Sequence, residues 1–249
     1  IIQLSIQEGN IEKNCAHIEE LVRNHSSDDI DLLCFPELCI SGYNFEKAII
    51  SDREALFFSE LASKYKIAIM AGINKKEGNQ HYDVACIWDE TGTLLGEYKK
   101  IHLWDKENDF FAKGEELVTV SFKGWTIGLL ICADFGFSEL AKSLALKKNA
   151  DVIMYPSAWN PGWDYLFSGC SSIRAAENQV YTVGLNRASG DVEYCGNTTV
   201  SNPDGTTLAR LCTSEESYTR VVLKKECLEK AKETIPWRLM RREEVYNKI

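Results

Sequence analysis

Apolar residues along the chain fall into two alternating patterns, short unbroken runs and longer stretches with apolar positions three and four residues apart. That is the signature of strands interleaved with helices. Ile1 to Ile6 reads as a first strand. Asn10 then caps a helix whose inward positions are Ile11, Cys15, Ile18, Leu21 and Val22. Ile30 to Phe35 is a buried strand closed by Pro36-Glu37, with Ser41-Gly42-Tyr43 in the loop beyond it. A helix from about Asp52 to Tyr65 precedes strands at Ile67 to Gly72 and Tyr82 to Trp88, and Leu94 to Tyr98 follows the turn at Asp89 to Gly92. Val118 to Phe122 and Thr126 to Ile131 flank a hairpin turn, and helical spacing resumes after Cys132 as far as about Lys148. Strands at Val152 to Tyr155, Val180 to Asn186 and Tyr194 to Ser201, with a helix at Phe167 to Asn178, complete the pattern before the Asn202 to Gly205 turn.

Short strands with a few long helices and hairpins predict an α/β layered sandwich rather than a doubly wound sheet. No repeat, low-complexity segment or linker interrupts the chain, so residues 1–225 read as one domain. Residues 226–249 are richer in Lys, Glu and Arg and read as a C-terminal tail or helix, either solvated or packed on another subunit, with Trp237 and Met240 within it.

Composition narrows the partners. Thirty-seven acidic against 28 basic residues give a net charge of -9, which disfavours nucleic acid and anionic membrane surfaces and favours a small-molecule or protein partner. Nine cysteines in 249 residues, odd in number and without a CxxC, read as reduced thiols rather than a disulfide framework or a metal site. Ile1 to Gln7 lacks the basic and apolar features of a signal peptide and no apolar run reaches membrane-spanning length, so a cytoplasmic location is expected.

Three polar residues stand just past apolar strands: Glu37, Lys100 and Cys132. Each has a plain structural reading: a helix-start carboxylate, half of a solvated pair with Lys99, and a small buried hydrophobe. Together they suffice for acyl transfer. A thiol with an ordinary pKa of about 8.5 needs a base, which Glu37 can supply. Lys100 can keep that base ionised and, with the Ala133 N–H, hold an oxyanion. The polar connection from Asp105 to Glu116 is a further candidate active-site segment.

Phe35-Pro36-Glu37-Leu38 with Ser41-Gly42-Tyr43, then Tyr98-Lys99-Lys100-Ile101-His102-Leu103, then Gly128-Leu129-Leu130-Ile131-Cys132-Ala133-Asp134 resemble, in order and spacing, the three signature blocks of the carbon-nitrogen hydrolase (nitrilase) superfamily. The resemblance continues through Tyr155-Pro156-Ser157-Ala158-Trp159, Arg174 to Asn178 and Gly184 to Arg187 as far as about residue 225. It implies a four-layer α-β-β-α sandwich that pairs with a second subunit, and a catalytic Glu37, Lys100 and Cys132. It also implies an auxiliary Glu107 that orients Lys100 or the substrate, and a thioester mechanism that needs no metal or organic cofactor. From the family layout, Tyr43, Phe135, Trp159 and Asn160 are expected at the substrate pocket. Ala133-Asp134 after the cysteine resembles the amidase branches more than the nitrile-cleaving ones. Ala133 and Ser138 replace the usual aromatic and proline, and Asp134 is expected in a structural ion pair with Arg174. A small linear amide or N-carbamoyl substrate follows; nitrile hydrolysis, or a retired member acting as a binding subunit, are the alternatives.

Overall fold

The computed structural model describes residues 1–27, 29–45 and 53–246. Asp52, the expected start of the second helix, and residues 247–249 of the tail lie outside them. Four strands, β2 (Leu32–Cys34), β3 (Ala68–Glu77), β4 (Gln80–Trp88) and β5 (Leu94–Lys99), form one sheet in that order. The second sheet runs β11 (Thr207–Arg210), β10 (Thr199–Ser201), β9 (Tyr181–Asn186), β8 (Val152–Ser157), β7 (Trp125–Leu129) and β6 (Val118–Phe122). A short pair, β1 (Ile2–Gln3) with β12 (Ser217–Tyr218), ties the two ends of the chain together.

Side-chain alternation sorts the layers. On β3, Ala68 and Met70 enter the core between the sheets, while Ile69, Ala71 and Ile73 face outward against α1 (Ile11–His25) and α2 (Glu54–Tyr65). On β4, Ala85 and Ile87 point inward while Val84, Cys86 and Trp88 join the helical side. Helices α3 (Ser138–Lys147) and α4 (Asp164–Asn178) cover the other sheet through Ala141, Leu144, Phe167 and Cys170. The result is the expected four-layer α-β-β-α sandwich. Asn10 caps α1 as its sequence position predicts, accepting the Lys13 N–H.

Three elements differ from expectation, each because side chains take over backbone hydrogen bonds or the backbone tightens locally. The first strand is only two residues long. Gln3, fully buried, sends its amide to Thr213 O and Glu215 O at 2.8 Å and accepts the Thr198 N–H at 3.0 Å. The strand expected at Tyr194 to Ser201 shrinks to β10 for a similar reason, with Asn186 Nδ2 holding Gly196 O at 2.7 Å. The helix expected from Cys132 breaks into a 3-10 turn, Cys132–Gly136, and α3, separated by an extended Phe137. The chain beyond residue 225 is no loose tail. Helix α5 (Lys225–Thr234) buries Leu228 and Ala231, and Gln179 Nε2 holds Ala231 O at 3.0 Å. Trp237 remains half exposed. No helix among the described residues is long and apolar enough to cross a membrane.

Glu54, at the start of α2, is 1% exposed and accepts the Asn74 N–H at 2.9 Å; burial pushes its carboxyl up to about 8. The unfolded carboxyl ionises near about 4.3, so the folded protein holds a proton the unfolded chain has lost, and stability falls as pH rises through that interval. Glu54→Gln keeps an acceptor for Asn74 and buries no charge. Thermal unfolding should therefore show it stabilised by roughly 2–4 kcal/mol at about pH 8 and by far less near pH 5. Equal gains at both pH values would contradict a neutral Glu54.

Candidate active site

The polar end of the layer between the sheets holds the three residues singled out in the sequence. Glu37 follows β2 but stays on the sheet. Phe35 N–H donates to Met70 O at 2.8 Å, Gly72 N–H to Pro36 O at 3.1 Å and Cys39 N–H to Gly72 O at 3.0 Å. Gly72 shares the inward face of β3 with Met70, and the absence of a side chain there is what admits Glu37. A Cβ at position 72 would lie 2.5 Å from the Glu37 Cα. Lys100 directly follows β5 and is anchored through its N–H to Asp83 O at 2.9 Å, and through its carbonyl from the Gly114 N–H at 2.8 Å.

The Lys100 ammonium, fully buried, lies 2.6 Å from Glu37 Oε1, 2.8 Å from Glu107 and 3.2 Å from Asp83 Oδ2. The oxygens of these three acids fall within 4.8 Å of one another, a spacing suited to a cation, and the ammonium supplies it. Burial pushes Lys100 down, but Glu37 and Asp83 outweigh it and hold the amine well above its ordinary range. Burial likewise pushes Glu37 up, and Lys100, helped by the neighbouring Asp83 and Cys132 side chains, holds it below the ordinary carboxylate range. Glu107 is raised, chiefly by burial. It accepts the Trp104 N–H at 2.8 Å and the Tyr43 hydroxyl at 3.0 Å. That places Glu107 on Lys100 and the Tyr43 hydroxyl on Glu107.

Cys132 opens the 3-10 turn with a left-handed φ of 43°. Burial and the charge of Glu37 push its thiol well above the ordinary range, with Lys100 and the Ala158 N–H acting the other way. The resting group is a thiol beside the ionised Glu37 carboxylate. Ala133, half-buried, is the next residue of the turn, so its N–H belongs to the donor-rich start of the helix beside the sulfur.

Asp134 latches this turn, but not to Arg174 as expected. It takes the Ile131 N–H at 3.0 Å, the Tyr98 hydroxyl at 2.8 Å and His102 Nδ1 at 2.9 Å. Arg174 instead donates to Phe135 O at 3.1 Å and pairs with Glu177 at 3.0 Å. Position decides both: Tyr98 and His102 flank Lys100, and Glu177 is one helical turn from Arg174. The lysine and cysteine segments are thereby tied together.

The expected pocket residues divide. Tyr43 touches Glu107. Trp159 follows Ala158 and packs edge-on against Trp163 at 6.3 Å, which meets Trp104 at 5.7 Å, so indoles join the loop after β8 to the loop after Lys100. Phe135 has no accessible surface and stacks on Tyr155 at 3.6 Å, which makes it a core residue beneath the turn and not a pocket wall. Asn160 is exposed. Asp83 escapes the sequence reading. Its signal is an acid two residues before Ala85 and four before Ile87, on the inward face of an otherwise apolar strand. The ion pair of Arg187 with Glu8 at 2.5 Å escapes it too; Glu8 accepts the Tyr43 N–H at 2.6 Å and so fixes that loop.

The sequence profile for carbon-nitrogen hydrolases matches residues 1–230. A nitrilase of Pyrococcus abyssi is 32% identical over 86% of this chain and 85% of its own length. An omega-amidase of Homo sapiens is 29% identical over 99% and 95% respectively. Among solved structures, an amidase from Nesterenkonia sp. AN1 superposes with a TM-score of 0.86 at 24% identity, over 99% of this chain and 97% of that one.

Gly72→Ala forces a methyl group onto the backbone that carries Glu37. A destabilisation of about 1–3 kcal/mol in denaturant unfolding is expected, together with displacement of Glu37 from Lys100. An unchanged unfolding midpoint would contradict the close approach.

Proposed function

The chain belongs to the carbon-nitrogen hydrolase family, and we propose that it hydrolyses a small linear amide or N-carbamoyl compound through a thioester on Cys132, releasing ammonia or an amine. The observation that carries this reading is the buried contact of Lys100 with Glu37 at 2.6 Å, both groups acting on the Cys132 thiol.

In this reading Glu37 removes the thiol proton as sulfur attacks the carbonyl carbon, so no free thiolate accumulates beforehand. The negative charge moves to the carbonyl oxygen, where a Lys100 N–H and the Ala133 N–H receive it. When the tetrahedral intermediate collapses, the carbon-nitrogen bond breaks and Glu37 returns its proton to the departing nitrogen. Water, deprotonated by Glu37, then attacks the thioester; the acid leaves and the proton goes back to sulfur. Glu107 holds Lys100 alongside Glu37, and Tyr43 holds Glu107. The latch of Asp134 to Tyr98 and His102 gives it a structural task and leaves Ala133 as the small position beside the nucleophile.

Cys132→Ala is expected to lower ammonia release by at least about a thousandfold across ω-amides, N-carbamoyl amines and N-carbamoyl amino acids. Nitriles, included because one relative is a nitrilase, are expected to be poor substrates. Full amide cleavage by Cys132→Ala would overturn the reading, and a preference for nitriles would replace amide with nitrile hydrolysis.

We also propose a homodimer. Leu166 and Ile173 lie seven residues apart on α4 and are both exposed, as is Phe137 before α3, an apolar stripe suited to a second copy of this face. Sedimentation should give a dimer for the natural chain and a monomer for Leu166→Glu. A monomer in both cases would refute it.

A further inference from the structure

One buried acid in the site has no part in the reaction as described. Asp83 has no exposed surface, and neither of its carboxyl oxygens accepts a hydrogen bond from a described residue. The same is true of the second oxygen of Glu37, Oε2. An ionised carboxylate without donors in a dry site is unstable, whereas a protonated one is itself a donor.

The distribution of donors around Lys100 decides which acid stays neutral. Glu37 receives Lys100 at 2.6 Å. Glu107 receives Lys100 at 2.8 Å, Tyr43 at 3.0 Å and Trp104 N–H at 2.8 Å. Asp83 has only a 3.2 Å ionic approach to Nζ, outside the ammonium's two hydrogen bonds. One ammonium cannot balance three buried anions, and Asp83 is the acid least supported as an anion.

Resting on the amidase reading, we propose that Asp83 is a permanently protonated positioning residue whose carboxyl O–H donates to Glu37 and orients it toward Cys132. The groups facing it are Glu37 from the β2 loop, Lys100 from the end of β5, Glu107 from the 3-10 turn Asp105–Asp109, and Tyr43. Burial and the charge of Glu37 hold the Asp83 carboxyl well above its ordinary range. Neutrality has a second consequence. A neutral Asp83 leaves the third proton of Lys100 uncommitted, and that proton is the one the oxyanion takes. An ionised Asp83 would bind it and remove a donor from the transition state.

Asp83→Asn preserves shape, neutrality and an N–H donor toward Glu37, whereas Asp83→Leu removes the donor. With the amide substrate turned over fastest, Asp83→Asn should keep kcat within about fivefold of the natural chain, and Asp83→Leu should lower kcat about a hundredfold with little change in KM. A carboxylate that loses a donor becomes a stronger base, so the acid limb of kcat/KM should move to higher pH in Asp83→Leu alone. Circular dichroism and thermal unfolding establish that each variant is folded. Infrared difference spectra of natural protein against Asp83→Asn at neutral pH should show loss of a protonated carboxylic-acid carbonyl band. This readout needs no turnover and stands even if the amidase reading fails. Loss of an ionised-carboxylate band instead, or damage by Asp83→Asn equal to that by Asp83→Leu, would overturn the assignment.

Discussion

The buried ammonium of Lys100 among Glu37, Glu107 and Asp83 constrains everything around it. Desolvating charges at this depth costs several kcal/mol per ion, and a buried ion pair is weak evidence for stability. The surrounding structure is built to tolerate that cost. Gly72 lets the Glu37 backbone approach β3, and Gly114, where a Cβ would fall 2.1 Å from Lys99 O, does the same for the chain beside Lys100. Asp134 binds the lysine segment to the cysteine turn through Tyr98, His102 and the Ile131 N–H, and the Arg187–Glu8 pair pins the Tyr43 loop. Each strut starts from a different element and ends close to a charged group of the cluster.

The resting state of Cys132 follows from the same arrangement. With Glu37 already ionised by Lys100, a thiolate would add another anion to a dry site with one compensating cation. The proton therefore stays on sulfur at rest, and in the proposed reaction it leaves only as a substrate carbonyl accepts the charge. This differs from cysteine sites in which a cationic partner stabilises the thiolate in advance. In the proposed reaction, electrostatics favour transfer of negative charge through sulfur and onto the substrate oxygen, where Lys100 and the Ala133 N–H would meet it.

Much of this is legible in the sequence. Apolar runs locate the sheets, and alternation on β3 and β4 assigns the layers, because side-chain direction in a strand has a period of two and tolerates no other burial. Glu37, Lys100 and Cys132 stand out because each ends an apolar run. Pairing across distant segments is not legible in the same way. Asp134 has several cationic or hydroxyl residues within reach in principle, and only the fold shows that Tyr98 and His102 are adjacent. The break between the turn at Cys132 and α3 is hidden because 3-10 and α spacing overlap over so few residues. Phe135 resembles a pocket residue by adjacency to Cys132, yet the turn directs it into the core against Tyr155 and Phe167.

Asp83 shows how much a single acid on the inward face of an apolar strand can reveal. An acid two residues from Ala85 and four from Ile87 must lie between the sheets, where it is neutral, paired or bound to a cation. The cation it meets is already shared by Glu37 and Glu107, which leaves neutrality. Lys100, two residues beyond Tyr98 on β5, obeys the same period, so the acid and the amine converge because both strands present this face to one layer. A carboxyl in the ordinary position of a core side chain thus becomes part of the site by geometry alone, and in the proposed reaction its protonation state sets how many donors Lys100 can offer to the reacting oxygen.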